Sequence, residues 1–151
     1  MGINALTGKD TIIIDDKVLL DFGDGDVANF TYPNESIGTK TGKNGNSIYA
    51  YNETGRVVDM VLRIVAGSFD DKFLNSKKLA SEADFPSTVL MKGSFVKRVG
   101  DGQGNVSNVK MTLGGGAFTK NIDAKDNAAG DTEQVIAVYN IKFTNSTRVI
   151  A

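Results

Sequence analysis

From Arg56 to Ala66 the chain reads RVVDMVLRIVA, and a two-residue period divides it into two faces. Val58, Met60, Leu62 and Ile64 make one wholly apolar face, while Val57, Asp59, Val61, Arg63 and Val65 make a second on which one acid and one base interrupt β-branched residues. The pattern predicts a long strand with one dry and one mixed face. In a half-solvated antiparallel sheet the mixed face lies in water; the alternative is a surface that meets water or a partner only after assembly. Upstream, residues 36–43 and 47–52 flank Asn44-Gly45, a dipeptide that supplies the positive φ angles of a tight turn, so a protruding hairpin is expected. Its bulky side chains, Ile48, Tyr49 and Tyr51 among them, are too few to build a core, so it is solvated or docks elsewhere.

Thr11–Ile14 and Lys17–Leu20 read as a short hairpin with Asp15 and Asp16 in its turn. Residues 21–26, DFGDGD, make a second turn, and residues 27–32 a third strand that Pro33 ends. After Gly67 a helix is expected over 69–81, with Ser68 as N-cap and Asp71 in the first turn. Phe69, Phe73, Leu74 and Ala80 form its expected inner stripe; Asp70, Lys72, Lys77 and Lys78 face outward, the bases late, as the helix dipole favours. Residues 88–99 and 106–120 read as strands joined by a Gly-rich loop at 100–105, and residues 121–132 as a polar loop. The last strand is expected over 133–144, with Val135, Ala137, Tyr139, Ile141 and Phe143 on one face, as an edge that something must cover. Gly114-Gly115-Gly116 within a strand pattern implies a bulge or the close approach of another chain. Residues 1–10 read as an extended arm. The elements add up to a mainly β fold in a single domain, 1–151: an antiparallel β-sandwich or partial barrel with one flanking α-helix.

Composition narrows the chemistry. The sequence has no His and no Cys, which removes the commonest general base, the triad member and the nucleophilic thiol. The acids sit mainly in turns, so no catalytic, cofactor-binding or metal site is expected, and the chain is not expected to be an enzyme. Asp21, Asp24 and Asp26 lack the spacing of a calcium loop, and Gly100-x-Gly102-x-Gly104 lacks the Lys-Ser/Thr of a phosphate cradle; both read as turns. With 17 basic and 18 acidic residues the net charge is −1, which argues against a surface dedicated to gripping phosphates. No apolar run approaches the roughly 20 residues of a membrane helix, so insertion by the chain itself is not expected.

Five stretches, residues 7–14 (TGKDTIII), 25–28 (GDVA), 40–49 (KTGKNGNSIY), 52–55 (NETG) and 67–74 (GSFDDKFL), together resemble the tail tube proteins of contractile-tailed bacteriophages, over most of residues 7–145. The resemblance implies a β-sandwich with one flanking helix, six copies of which close a β-barrel ring, and rings stacked into a tube inside a sheath. It implies as partners further copies of the chain, the tail sheath protein, baseplate and tail terminator proteins, a tape measure protein, and DNA in transit through the lumen. The location it implies is the virion tail, assembled in the host cytoplasm. Residues 38–55 would then be the stacking hairpin, with Lys43, Asn44, Asn46 and Tyr49 as inter-ring contacts, and the N-terminal arm would assist stacking. Asp59 and Arg63 would be candidates for the lumen, and a near-neutral chain would suit a conduit that must not bind its cargo. Two alternatives stay open: the tube of a contractile bacteriocin or secretion system, and a monomeric β-sandwich binding module. The absence of Trp weakens a sugar-binding version of the second.

Overall fold

The structure is a computed structural model that describes residues 5–6, 11–22, 28–124 and 136–150. Most of the N-terminal arm, Asp24 and Asp26 of the second turn, most of the 121–132 loop and residues 133–135 of the last strand lie outside the described residues.

The strands are β1 (Ala5–Leu6), β2 (Thr11–Ile14), β3 (Lys17–Leu19), β4 (Ala28–Thr31), β5 (Ile37–Thr41), β6 (Ser47–Tyr51), β7 (Val58–Val65), β8 (Met91–Gly100), β9 (Val106–Phe118), β10 (Asp123–Ala124) and β11 (Ile136–Ile150). One α-helix, α1 (Phe69–Ala83), follows β7. The main sheet runs β3-β2-β8-β9-β11-β7-β4, antiparallel throughout, with β1 on β8 and β10 on β11; it curls into a half-barrel. The mainly β antiparallel fold with one flanking helix is therefore as expected, with β5 and β6 forming a separate two-stranded sheet.

The hollow of the half-barrel is the core. Val58, Met60, Leu62 and Ile64 are all fully buried, as the alternation of β7 predicts, and they meet Ala137, Tyr139, Ile141 and Phe143 of β11 across the register Val58↔Phe143 to Ile64↔Ala137. Ile12 and Ile14 of β2, Leu19 of β3, and Met111 and Leu113 of β9 close the other side. Each such aliphatic side chain contributes ~1.5–3 kcal/mol on burial, so this apolar set dominates stability.

The last strand departs from expectation. β11 is not an edge but lies between β7 and β9, and it continues to Ile150. Its register with β9 runs from Ile141↔Phe118 to Ile150↔Val109, so the residues beyond 144 extend the sheet along β9. Nor is its alternation unbroken: the buried positions are 137, 139, 141 and 143, then 146. The matching switch in β9, from Gly116 to Leu113 and Met111, falls at the glycine triplet, and pairing with β8 shifts by one residue between Met91 and Gly93. Gly115 has φ +66°, and a Cβ there would overlap the Thr144 hydroxyl; a Cβ on Gly116 would overlap the Phe143 ring. The triplet is thus a bulge, and its close neighbour is β11 of the same chain.

The turns follow local chemistry. Asp15 and Asp16 both adopt positive φ (48° and 67°) between the paired Ile14 and Lys17, a two-residue hairpin turn. Asp101 accepts hydrogen bonds from the Gln103 N–H (2.7 Å) and Asn105 Nδ2 (2.7 Å), which shapes residues 100–105 into the expected hairpin loop.

Candidate assembly surfaces

The β5–β6 hairpin pairs Ile37↔Tyr51 through Thr41↔Ser47, and every residue in both strands is exposed. Its loop differs from the expected Asn-Gly turn. The Gly45 N–H donates to the Gly42 carbonyl (3.0 Å) and the Gly42 N–H to the Asn46 carbonyl (2.7 Å), so Lys43, Asn44 and Gly45 form a three-residue loop with Gly45 alone in the left-handed region (φ +82°). Lys43, Asn44 and Asn46 sit at the tip, and Tyr49, 72% exposed, lies on the arm opposite Thr39. The base is anchored by the Asn52 N–H to the Ser36 carbonyl (2.7 Å), by the Asn52 side chain capping a short 3-10 turn, and by Ser36 packed where Gly55 has no side chain. A lone two-stranded hairpin with this much bare apolar surface is marginal in water.

Asp59 and Arg63 lie on the mixed face of β7, opposite the core and half-buried. Register places Lys142 beside Asp59 and Val138 beside Arg63, and the Lys142 ammonium stands 3.8 Å from the Asp59 carboxylate. Arg63 Nε is buried without a hydrogen-bond partner among the described residues. The hairpin and this face belong to different sheets, and no hydrogen bond or ion pair among the described residues joins Lys43, Asn44, Asn46 or Tyr49 to Asp59 or Arg63.

Helix α1 corrects the expected stripe. Leu74 is fully buried and Phe73 packs against the core, but Phe69 is 79% exposed and Ala80 faces solvent, while Asp70 and Lys78 are buried. The reason is polar docking. The Asp70 carboxylate accepts from Lys17 Nζ, the Leu20 N–H (2.6 Å) and the Asp21 N–H (2.7 Å). Burial pushes this carboxyl up, but the Lys17 hydrogen bond and the two N–H groups outweigh it and hold it below the ordinary carboxylate range. Lys78 is held between Glu82 and Asn121. The Tyr139 hydroxyl donates to Asp71; burial first, then the Asp71 carboxylate, raises its pKa. Lys17 and Lys77 each stand 5.1 Å from the centre of the Phe73 ring, and Lys77 pairs with Asp15 at 2.6 Å. Ser68 caps Asp71 N–H at 3.2 Å as expected, but the helix runs to Ala83 and its last turn holds no base.

Beyond the core, the hollow of the half-barrel continues as an open trough of about 670 Å³, with Phe95, Val109 and Met111 beside Lys97, Asp101 and Arg148 in its lining. Among the described residues no group of His, Cys, Asp or Glu side chains could hold a metal ion, and no helix is long and apolar enough to cross a membrane.

These features define a class: a curled antiparallel half-barrel, open at its edges, with one helix docked on it and an independent hairpin. No protein-family model and no curated protein matches the sequence. Solved structures do share the fold. A chain of the extended sheath–tube complex of PVC, an extracellular contractile injection system, matches with a TM-score of 0.64 at 7% identity, over 95% of this chain and 89% of that one. The tube-terminating cap of the anti-feeding prophage matches with a TM-score of 0.60 at 10% identity, over 94% and 88%. A chain of the PVC sheath/tube terminator matches with a TM-score of 0.54 at 10% identity, over 95% and 94%.

Proposed function

We propose that this chain is a structural subunit of the tube of a contractile machine, six copies closing a ring and rings stacking through the β5–β6 hairpin. The observation that carries the reading is the open half-barrel. Its sheet stops at two short edges, β3 and β4, and its hollow runs on past the core as an uncovered trough, which is what a barrel completed by neighbours would present. Likeness over nearly the whole chain to sheath–tube, cap and terminator assemblies supports this reading. In the assembly Lys43, Asn44, Asn46 and Tyr49 meet the next ring, and Asp59 and Arg63 face the lumen. The partners are further copies of the chain, a sheath protein, baseplate and terminator proteins and a tape measure protein, and the location is the tail-like particle.

In the bacteriophage version of this role the lumen conducts DNA into the host. The second version is the tube of an injection system that carries no genome, and the PVC neighbours, from an extracellular contractile injection system, support it. Negative-stain electron microscopy of the untagged protein over a range of concentrations tests the shared reading. Six-fold rings or hollow tubes are expected. Monomers that persist at high concentration, even with tube ends added as seeds, would overturn it in favour of a binding module.

A further inference from the structure

The mixed face of the half-barrel extends across four adjacent strands, and its charge is one-sided. Register puts Arg63 (β7), Lys142 (β11), Lys110 (β9) and Arg98 (β8) on it; Lys120, at the rim, lines both the depression beside Asp59, Asn140 and Lys142 and the one beside Glu82 on the helix side. Among the described residues, two acids stand against these four strand bases: Asp59 and, across from Val138, Asp123. Among the described residues the one ion pair on the face is Lys142 with Asp59, and at 3.8 Å between half-exposed groups it neutralises little. Net charge of the chain does not reveal this, because other acids lie away from the face, Asp15, Asp16 and Asp101 in turns, while Asp70, Asp71 and Glu82 share the helix with Lys72, Lys77 and Lys78.

Between the bases lie Val61, Val96 and Val138, each half-buried, with Val149 exposed beside Lys110, and the face carries no aromatic side chain among the described residues. That texture selects among polyanions. Duplex nucleic acid presents phosphates outward and gains nothing from valines. A single strand would need aromatic platforms on which to stack its bases. A polypeptide in which acidic residues alternate with small apolar ones satisfies both components of the face.

We infer that this face is a track for an acidic polypeptide, retained by charge and released when it is driven along the strands. The inference rests on the tube reading for the placement of the face in a lumen, where six copies would multiply weak individual attractions and a narrow bore would focus the field.

The test measures binding of a fluorescent glutamate–alanine copolymer, and of duplex DNA of equal charge, to the full-length protein by anisotropy at low and high salt, with electron microscopy of the same samples. The copolymer is expected to bind at low salt, more tightly than DNA, and to dissociate as salt rises. The double variant Arg98→Glu, Lys110→Glu, both side chains exposed, is expected to weaken binding about tenfold or more, and Arg98→Gln, Lys110→Gln to weaken it less; Lys72→Glu on the outer face of the helix is expected to leave it unchanged. DNA bound as tightly as the copolymer, a double variant indistinguishable from the parent, or tubes that bind neither probe would each overturn the inference. Tubes without copolymer binding would leave the tube reading standing. Copolymer binding lost in the double variant, but with no tubes, would support the track and reject the tube.

Discussion

Asp70 stands at a position that helical periodicity assigns to solvent, yet it is 2% exposed and accepts three hydrogen bonds from the strand-end segment across from it. Its replacement by Asn keeps the shape but loses the charge on which Lys17 relies, and is expected to cost about 1.5–3 kcal/mol, lowering Tm by several degrees in a chain of this size. The pH dependence has a definite sign. A carboxyl held below its unfolded value contributes stability that is fully present above about pH 4 and is lost as pH falls through the folded value. Thermal melts of the parent and Asp70→Asn should therefore converge on acidification below about pH 4; a constant gap would show that the carboxylate charge is not what the site stabilises. Gly116 makes a complementary case at the bulge, since an added methyl would occupy the space of the Phe143 ring. Gly116→Ala is expected to cost roughly 1–3 kcal/mol by overpacking, read by chemical denaturation, and an unchanged midpoint would mean that Phe143 can move aside freely.

The hairpin is the element whose removal is expected to separate folding from assembly. Its strands bond to each other and not to the main sheet, and none of their residues is buried. Replacing residues 39–49 with a two-residue turn is therefore expected to leave Tm within a few degrees of the parent while abolishing tube growth, with isolated rings in electron micrographs; tubes of ordinary length would exclude the hairpin from stacking. That element was legible in the sequence because its signal is local, as were the alternation of β7, the Asp15-Asp16 turn, the Ser68 cap and the Asp101 loop. The misjudged features depend on distant partners. Asp70 and Lys78 turn inward because Lys17 and Asn121 await them, β11 is interior because β9 and β7 pair on either side of it, and its alternation breaks where Gly115 in another strand gives way. The candidate surfaces divide in the same manner. Period two placed Asp59 and Arg63 on one face of one strand, but only register across four strands brings Arg98 and Lys110 to that face.

At the scale of the whole molecule, the excess of bases on the mixed face of the sheet decides how an assembled tube would treat its contents. Asp59 is one of two acids on this face among the described residues, and its side chain projects from a face and not from an edge, so Asp59→Lys should leave ring closure and stacking intact. It would also remove the partner of Lys142 and raise the positive field. Retention of an acidic copolymer is then expected to strengthen, roughly fivefold for about 1 kcal/mol gained, with a steeper dependence on salt. In a particle that conducts DNA the same substitution should slow ejection, because a lumen that holds phosphates more firmly opposes their transit. Electron microscopy of the variant tubes, copolymer anisotropy and an ejection or delivery assay on whole particles check these outcomes together. Normal tubes with unaltered retention and delivery would remove Asp59 from the lumen wall, whereas loss of tubes would place its face at a subunit contact and turn the half-barrel the other way round in the ring.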